Sequence, residues 1–215
     1  MTRTQAKDMI YVFRDLDRVT ADDIEHYMTF LSPQRQEKAM SYRHELGRKQ
    51  CVLAYIMLRH ALSKEYGIET APVFTIRSHG KPELADHTGI HFSLSHCRTA
   101  VACAVSDHPI GVDIENVRPA KEAVIKYSMN ECETNQIHSS DNPDLEFTKL
   151  WTRKECLVKL TGEGINDDMK KLLDSARNSI HVDTRCLDDE VVLSVATPAE
   201  HVLTCDINIV SDFFL

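Results

Sequence analysis

Glycine and proline are scarce, seven of each in 215 residues, so no long flexible linker between separate domains is expected. That length is long for one minimal domain and short for two large ones. No C-x-x-C pair occurs among the seven cysteines, Cys51, Cys97, Cys103, Cys132, Cys156, Cys186 and Cys205. An odd count, with Cys51 and Cys103 inside apolar runs, fits reduced thiols better than a disulfide framework. Long apolar stretches are missing too. The longest, Cys51–Leu58, has eight residues, far short of the ~20 that a membrane-spanning helix needs. The segment Met1–Asp8 is polar and lacks the apolar core of a signal peptide. Positive charge is in deficit: the formal net charge is −8 and the pI about 5.7. That balance excludes broad nucleic-acid binding, which needs a basic face, but leaves room for a local basic pocket. Apolar residues at 42% and charged residues at 27% are ordinary for a globular chain. A cytoplasmic protein with neither a membrane nor a nucleic-acid partner is expected.

What is present alternates between strand and helix patterns. Met9–Phe13 is β-branched and aromatic and predicts a strand. A short helix is expected over 22–29, and Ser32-Pro33 opens the next, serine as N-cap and proline at the first helical position. Apolar residues at 51, 52, 55, 56, 58, 62 and 66 have helical period, with Gly67 as the stop. Strands are expected over 73–77, 91–95, 100–106 and 110–115, with turns at 80–82 and 107–109. Helices follow over 131–137 and 146–160, a short helix or loop over 168–176, then strands near 179–183, 191–195 and 202–209. Arg48-Lys49-Gln50-Cys51-Val52-Leu53 is echoed by Arg153-Lys154-Glu155-Cys156-Leu157-Val158. The echo suggests two related halves meeting near residue 107. The chemical difference is Glu155 in the second half where the first has Gln50.

The segments with reactive potential lie mostly in the second half. In Gly111-Val112-Asp113-Ile114-Glu115, strand alternation puts Asp113 and Glu115 on one face and Val112 and Ile114 on the other. Adjacent carboxylates either stay solvated at a strand end or share a hard cation such as Mg²⁺. On a helix, Trp151, Glu155 and Lys159 are spaced four apart and share a stripe. That stripe reads as an amphipathic surface or as the edge of a packed cleft, since the only tryptophan lies on it. His96 in Phe92-Ser93-Leu94-Ser95-His96 reads as a core histidine, a phosphate ligand or a base. A Ser-His-Asp hydrolase does not fit, because adjacent Ser95 and His96 face opposite ways on a strand and no G-x-S-x-G is present. His87, His91, His96 and Cys97 match no common zinc spacing. Arg35, Lys38, Arg43, Arg48 and Lys81 are scattered cations, either solvated or part of a phosphate pocket.

The order and spacing of Gly80-Lys81-Pro82, Phe92-Ser93-Leu94-Ser95-His96, Gly111-Val112-Asp113-Ile114-Glu115 and Trp151-Thr152-Arg153-Lys154-Glu155-Cys156-Leu157-Val158-Lys159 resemble the 4′-phosphopantetheinyl transferases, in particular the surfactin-synthetase-activator type. The resemblance spans roughly residues 32–165. It implies an α+β fold of two similar, pseudo-two-fold-related halves, 1–106 for coenzyme A phosphate binding and 107–215 for metal and catalytic residues. It also implies a monomer with coenzyme A in the cleft between the halves. By similarity Asp113, Glu115 and Glu155 hold Mg²⁺, and Arg35, Lys38, Lys81 and His96, assisted by Ser95, bind the adenosine phosphates. Lys154 lies near the pyrophosphate, Lys159 meets the leaving group, and Glu155 takes the proton of the attacking serine of an apo carrier protein. Cys97 and Cys156 depart from the small alanine or serine usual at their positions. The segment from Asn116 to Cys132, with Ile125, Tyr127 and Met129, reads either as a carrier-docking surface or as core. Two other classes compete: an Mg²⁺-dependent phosphoesterase or pyrophosphohydrolase acting on a nucleotide or coenzyme A, and a non-catalytic coenzyme A-binding protein.

Overall fold

A computed structural model describes residues 8–76, 80–162, 169–201, 203 and 206–211. In chain order its elements are β1 (Met9–Phe13), α1 (Ala21–Met28), α2 (Pro33–Ser41), α3 (Glu45–Tyr66), β2 (Phe74–Ile76), β3 (Pro82–Leu84), β4 (His91–His96), β5 (Val101–Ser106), β6 (Gly111–Asn116), α4 (Glu122–Ser128), α5 (Glu131–Ser139), α6 (Pro143–Thr161), α7 (Leu172–Ala176), β7 (Ile180–Cys186), β8 (Val191–Pro198) and β9 (Ile207–Val210). The fold is α+β, as expected. Local chemistry sets several ends. Thr20 and Asn130 close capping boxes with Asp23 and Glu133 at the starts of α1 and α5. Gly67 and Gly162 stop α3 and α6 at φ of 66° and 74°, a left-handed setting natural to glycine.

Two sheets make the body. The first has the order β4-β5-β1-β9 and the second β6-β8-β7. Period-two alternation sorts their side chains into layers. Tyr11 and Phe13 of β1, with Val101, Cys103 and Val105 of β5, face α3 in one buried cluster. Ile10 and Val12, with Ala102 and Ala104, face the other way, onto Val112 and Ile114 of β6 and Val191, Leu193 and Val195 of β8. The alanines keep that interface thin, so the sheets lie face to face. Cys156, Leu157 and Leu160 of α6 cover the outer side of the second sheet. The layers therefore run α3, first sheet, second sheet, α6.

The structure departs from the expected elements in three places. Pro82 begins a strand rather than closing a turn: β3 pairs with β2 in a separate two-stranded ribbon. Proline is tolerated there because a strand's first residue need not donate. Helix α4 was not anticipated. Ile125 and Met129, 4% and 1% exposed, are core rather than docking surface, whereas Tyr127 is 51% exposed. Finally, β9 pairs in parallel with β1, so the C-terminal sequence returns to the first sheet and crosses the division at residue 107. Residues 77, 202, 204 and 205 of the expected strands lie outside the described residues.

Candidate active site

Strand β6 positions the site, and Gly111 explains how close α6 comes to it. A β-carbon at Gly111 would overlap the Cys156 carbonyl oxygen and stand 2.7 Å from the Leu160 nitrogen. Only glycine lets the helix lie directly on the strand. Two residues on, Asp113 emerges on that helix-facing side, 4% exposed, with half-buried Glu115 following on the same face. The alternation expected from the sequence is thus observed.

β6 is an edge strand, and β4 satisfies its outer N–H groups with side chains. Ser93 Oγ accepts from the Val112 N–H at 3.0 Å and Ser95 Oγ from the Ile114 N–H at 3.3 Å. Phe92 and Leu94, alternating with them, belong to the α3 side. Ser95 also donates to Asp113 Oδ1 at 2.7 Å and accepts from Lys159 Nζ at 2.7 Å. Lys159 Nζ donates to the same Asp113 oxygen at 2.6 Å. Ser95, Asp113 and Lys159 therefore form a closed triangle in which the Ser95 hydroxyl is fully used. Serine at alternate positions of β4 was the sequence signal for this pairing, and Ser93 was overlooked as a site residue.

The acids around this triangle are crowded. Burial pushes the Glu115 carboxyl up to about 7, helped by the Asp113 charge and opposed by Arg118 and Lys159. Burial likewise raises Glu155, with Asp113 adding and Lys159 opposing. Asp113 Oδ2 and Glu155 Oε1 are buried without a hydrogen-bond partner. Unpaired buried carboxylate oxygens are costly, and hard cations take oxygen donors of this type. Among the described residues no group of three His, Cys, Asp or Glu side chains stands as an assembled metal site. The donor chemistry fits a divalent cation, and Lys159 supplies the positive charge at Asp113.

The expected cations divide. His96, at the surface end of β4, is held below its usual value by burial first and then by Lys159, with a smaller push from Arg35, so its ring is neutral at pH 7. Arg35 donates to the Cys51 carbonyl at 3.2 Å, and its Nε is buried without a partner. Against burial, which raises it, Arg35 and Lys38 both lower the Cys51 thiol, and Arg35 also acts on His96. Lys81 donates to the Leu160 carbonyl at 2.8 Å, at the C-terminal end of α6, where a cation also suits the helix dipole. Lys154 goes elsewhere. Its fully buried ammonium donates to Glu133 Oε2 at 2.8 Å and to the Met169 carbonyl at 2.7 Å. Those donors are engaged by α5 and by the chain that follows α6.

Two cavities flank the acids. One of about 260 Å³ is lined by Lys81, Phe92, Leu94, Val158 and Lys159. The other, of about 290 Å³, is lined by Glu115, Arg118, Lys121, Phe147 and Trp151. Arg118 had no motif to reveal it.

Comparison with known proteins meets this geometry from the sequence side. The family model described as the 4′-phosphopantetheinyl transferase superfamily matches residues 109–205, which include β6 and α6. The 4′-phosphopantetheinyl transferase Sfp of Bacillus subtilis (strain 168) is 29% identical over 160 residues, covering 73% of this chain and 70% of the relative. Over β6 and α6 and beyond, the chain is similar to 4′-phosphopantetheinyl transferases. A second transferase, psf-1 of Bacillus pumilus, is 27% identical over 212 residues, 88% of this chain and 91% of its own. The 4′-phosphopantetheinyl transferase AcpT of Escherichia coli (strain K12) is 28% identical over 165 residues, covering 74% and 80%. The likeness to the phosphopantetheinyl transferases thus extends well beyond the segment that the family model matches.

Proposed function

We propose that this protein transfers the 4′-phosphopantetheine arm of coenzyme A to a serine of an apo carrier protein and releases 3′,5′-ADP. The observation that carries the reading is the set of acids Asp113, buried, and Glu115 and Glu155, half-buried, with unpartnered oxygens on Asp113 and Glu155, beside Lys159 and two cavities, in a chain whose residues 109–205 match this superfamily. The halves 1–106 and 107–215, apart from β9, which returns to the first sheet, are read as pseudo-two-fold-related, with coenzyme A between them. Asp113, Glu115 and Glu155 would hold Mg²⁺. The bound ion supplies charge neutralisation and polarises phosphoryl oxygens.

The remaining chemistry belongs to the chain. Arg35, Lys38 and His96 bind the adenosine phosphates. His96, neutral alone, gains a proton readily once an anion faces it. Lys81 stiffens the end of α6 and borders the cavity that holds the coenzyme. The serine oxygen attacks the β-phosphorus as the bond to the α-phosphate bridging oxygen breaks. Glu155, whose carboxyl is raised toward useful basicity, takes the serine proton directly or through a water. Lys159 offsets the charge that develops on the departing 3′,5′-ADP. Exposed Tyr127, on the segment from Asn116 to Cys132, offers the carrier an apolar contact. One chain supplies both sides of the cleft, so a monomer suffices, acting in the cytoplasm; no helix among the described residues is long and apolar enough to cross a membrane.

Release of 3′,5′-ADP, followed by chromatography, tests the reading. It is expected only when coenzyme A, Mg²⁺ and an apo carrier domain are all present. Release without the carrier would identify a phosphohydrolase and overturn the proposal.

A further inference from the structure

Lys154 sits next to Glu155 in sequence yet makes no contact with the acids. It is fully buried, an unusual place for an ammonium. Desolvation disfavours its charge, and the Glu133 carboxylate is what opposes that. The same Glu133 oxygen, Oε2, accepts the Asn130 N–H at 2.8 Å in the capping box that starts α5. The Met169 carbonyl, beyond the end of α6, takes another Lys154 proton. One ammonium thus ties the middle of α6 to the start of α5 and to the chain that follows α6. A second anchor lies on β8, where Thr152 Oγ1 and Ser194 Oγ are 2.8 Å apart, and Ser194 is the cross-strand partner of Asp113.

These anchors fix how α6 is rolled. Successive helical side chains diverge by ~100°, and a roll of ~20° moves a tip ~5 Å from the axis by about 2 Å. Displacement by ~1 Å is enough to cost a catalytic group most of its effect. A buried ion pair is a weak source of net stability but a strong selector of one arrangement, because a misplaced partner leaves a bare buried charge.

Resting on the transferase reading above, we propose that the Lys154–Glu133 pair is a positioning device that sets the roll of α6, and with it the aim of Glu155 and Lys159, and that Lys154 is not a ligand of the coenzyme A pyrophosphate. Glu133 is then a residue of functional weight on α5, acting entirely through Lys154.

The test compares Glu133→Gln, Lys154→Met and the double variant Lys154→Met/Glu133→Leu, which removes both charges. Turnover is measured with coenzyme A, Mg²⁺ and an apo carrier domain at a temperature where thermal melts show each protein folded. Each single variant is expected to lower kcat by ~10- to 100-fold, the usual effect of losing a support behind a reacting group, with KM for coenzyme A within about twofold. The double variant is expected to regain most of kcat. The emission of Trp151, the only tryptophan and a residue of the same helix, reports the roll independently of activity: it shifts in the single variants and returns in the double. Wild-type protein that transfers nothing would sink the transferase reading, while Trp151 emission still decides the positioning. A raised KM in both Lys154 variants but not in Glu133→Gln would make Lys154 a ligand and overturn the inference. So would unchanged kcat and Trp151 emission in all folded variants, which would leave the pair only a stabilising role.

Discussion

Glu155 has a buried oxygen with no partner, in a carboxyl already raised by burial and by Asp113. Glu155→Gln keeps the shape and removes both charge and basicity. It is expected to fold with an unchanged melting temperature or a slightly higher one, and to lose transfer by ~10²- to 10⁴-fold, the range for a general base. Single-turnover assays beside a thermal melt check this. Lys159 makes a less obvious prediction. Its ammonium occupies Asp113 Oδ1 at 2.6 Å, where a divalent cation would compete with it. Lys159→Met is therefore expected to bind Mg²⁺ more tightly than wild type when coenzyme A is absent, while transferring far more slowly. Calorimetric titration with Mg²⁺ reads the first effect, and weaker Mg²⁺ binding in the variant would contradict it. At this scale the sequence was informative about residue types and faces: Asp113, Glu115, Glu155 and Lys159 were legible from strand and helix spacing. It was blind to which way Lys154 turns, because neighbouring helix positions point apart and only the packed α5 decides between them. Ser95 is expected at the site to assist phosphate binding, and its hydroxyl meets Asp113, Lys159 and the Ile114 N–H.

At the scale of elements, the contact of α6 with β6 is the feature on which the site depends. Gly111→Ala sets a methyl against helix backbone, and backbone cannot yield as a flexible side chain would. Overpacking of this kind costs about 1–3 kcal/mol or more, and here it also moves Glu155 away from Asp113. Urea unfolding should show the lower midpoint, and transfer should fall in protein that remains folded. A variant with wild-type stability and activity would mean that α6 is not seated as described. Most elements were legible because their patterns were long: α3 and α6 from helical period, β4 and β6 from alternation, β5 from an apolar run. What escaped was short or context-dependent. Pro82 reads as a turn until β2 offers it an edge to pair with, and α4 has seven residues, too few for a periodic signal to stand out. Ile125 and Met129 are apolar in either setting, so only packing against Phe147 and Leu150 shows them to be core.

For the whole molecule, the acid cluster couples stability to pH and to divalent cations. Glu115 titrates near 7 in the fold against 4.5 for an ordinary glutamate, so between those values the folded protein holds a proton that the unfolded chain has lost. Stability from this group therefore falls as pH rises from about 4.5 to about 7 and levels off above. A cation that binds the ionised acids reverses the trend. The rise in melting temperature on adding Mg²⁺ is expected to be small near pH 5 and to grow through pH 7, and EDTA should abolish it. A Mg²⁺ effect that is equal across this range would place the ion elsewhere. The return of β9 to β1 was not legible in the sequence, since parallel pairing between distant segments leaves no local mark. Transfer is read directly from the intact mass of an apo carrier domain after incubation with this protein, coenzyme A and Mg²⁺. A gain of one phosphopantetheine that disappears with EDTA is the predicted result; carrier domains that keep their mass while coenzyme A is consumed would contradict it.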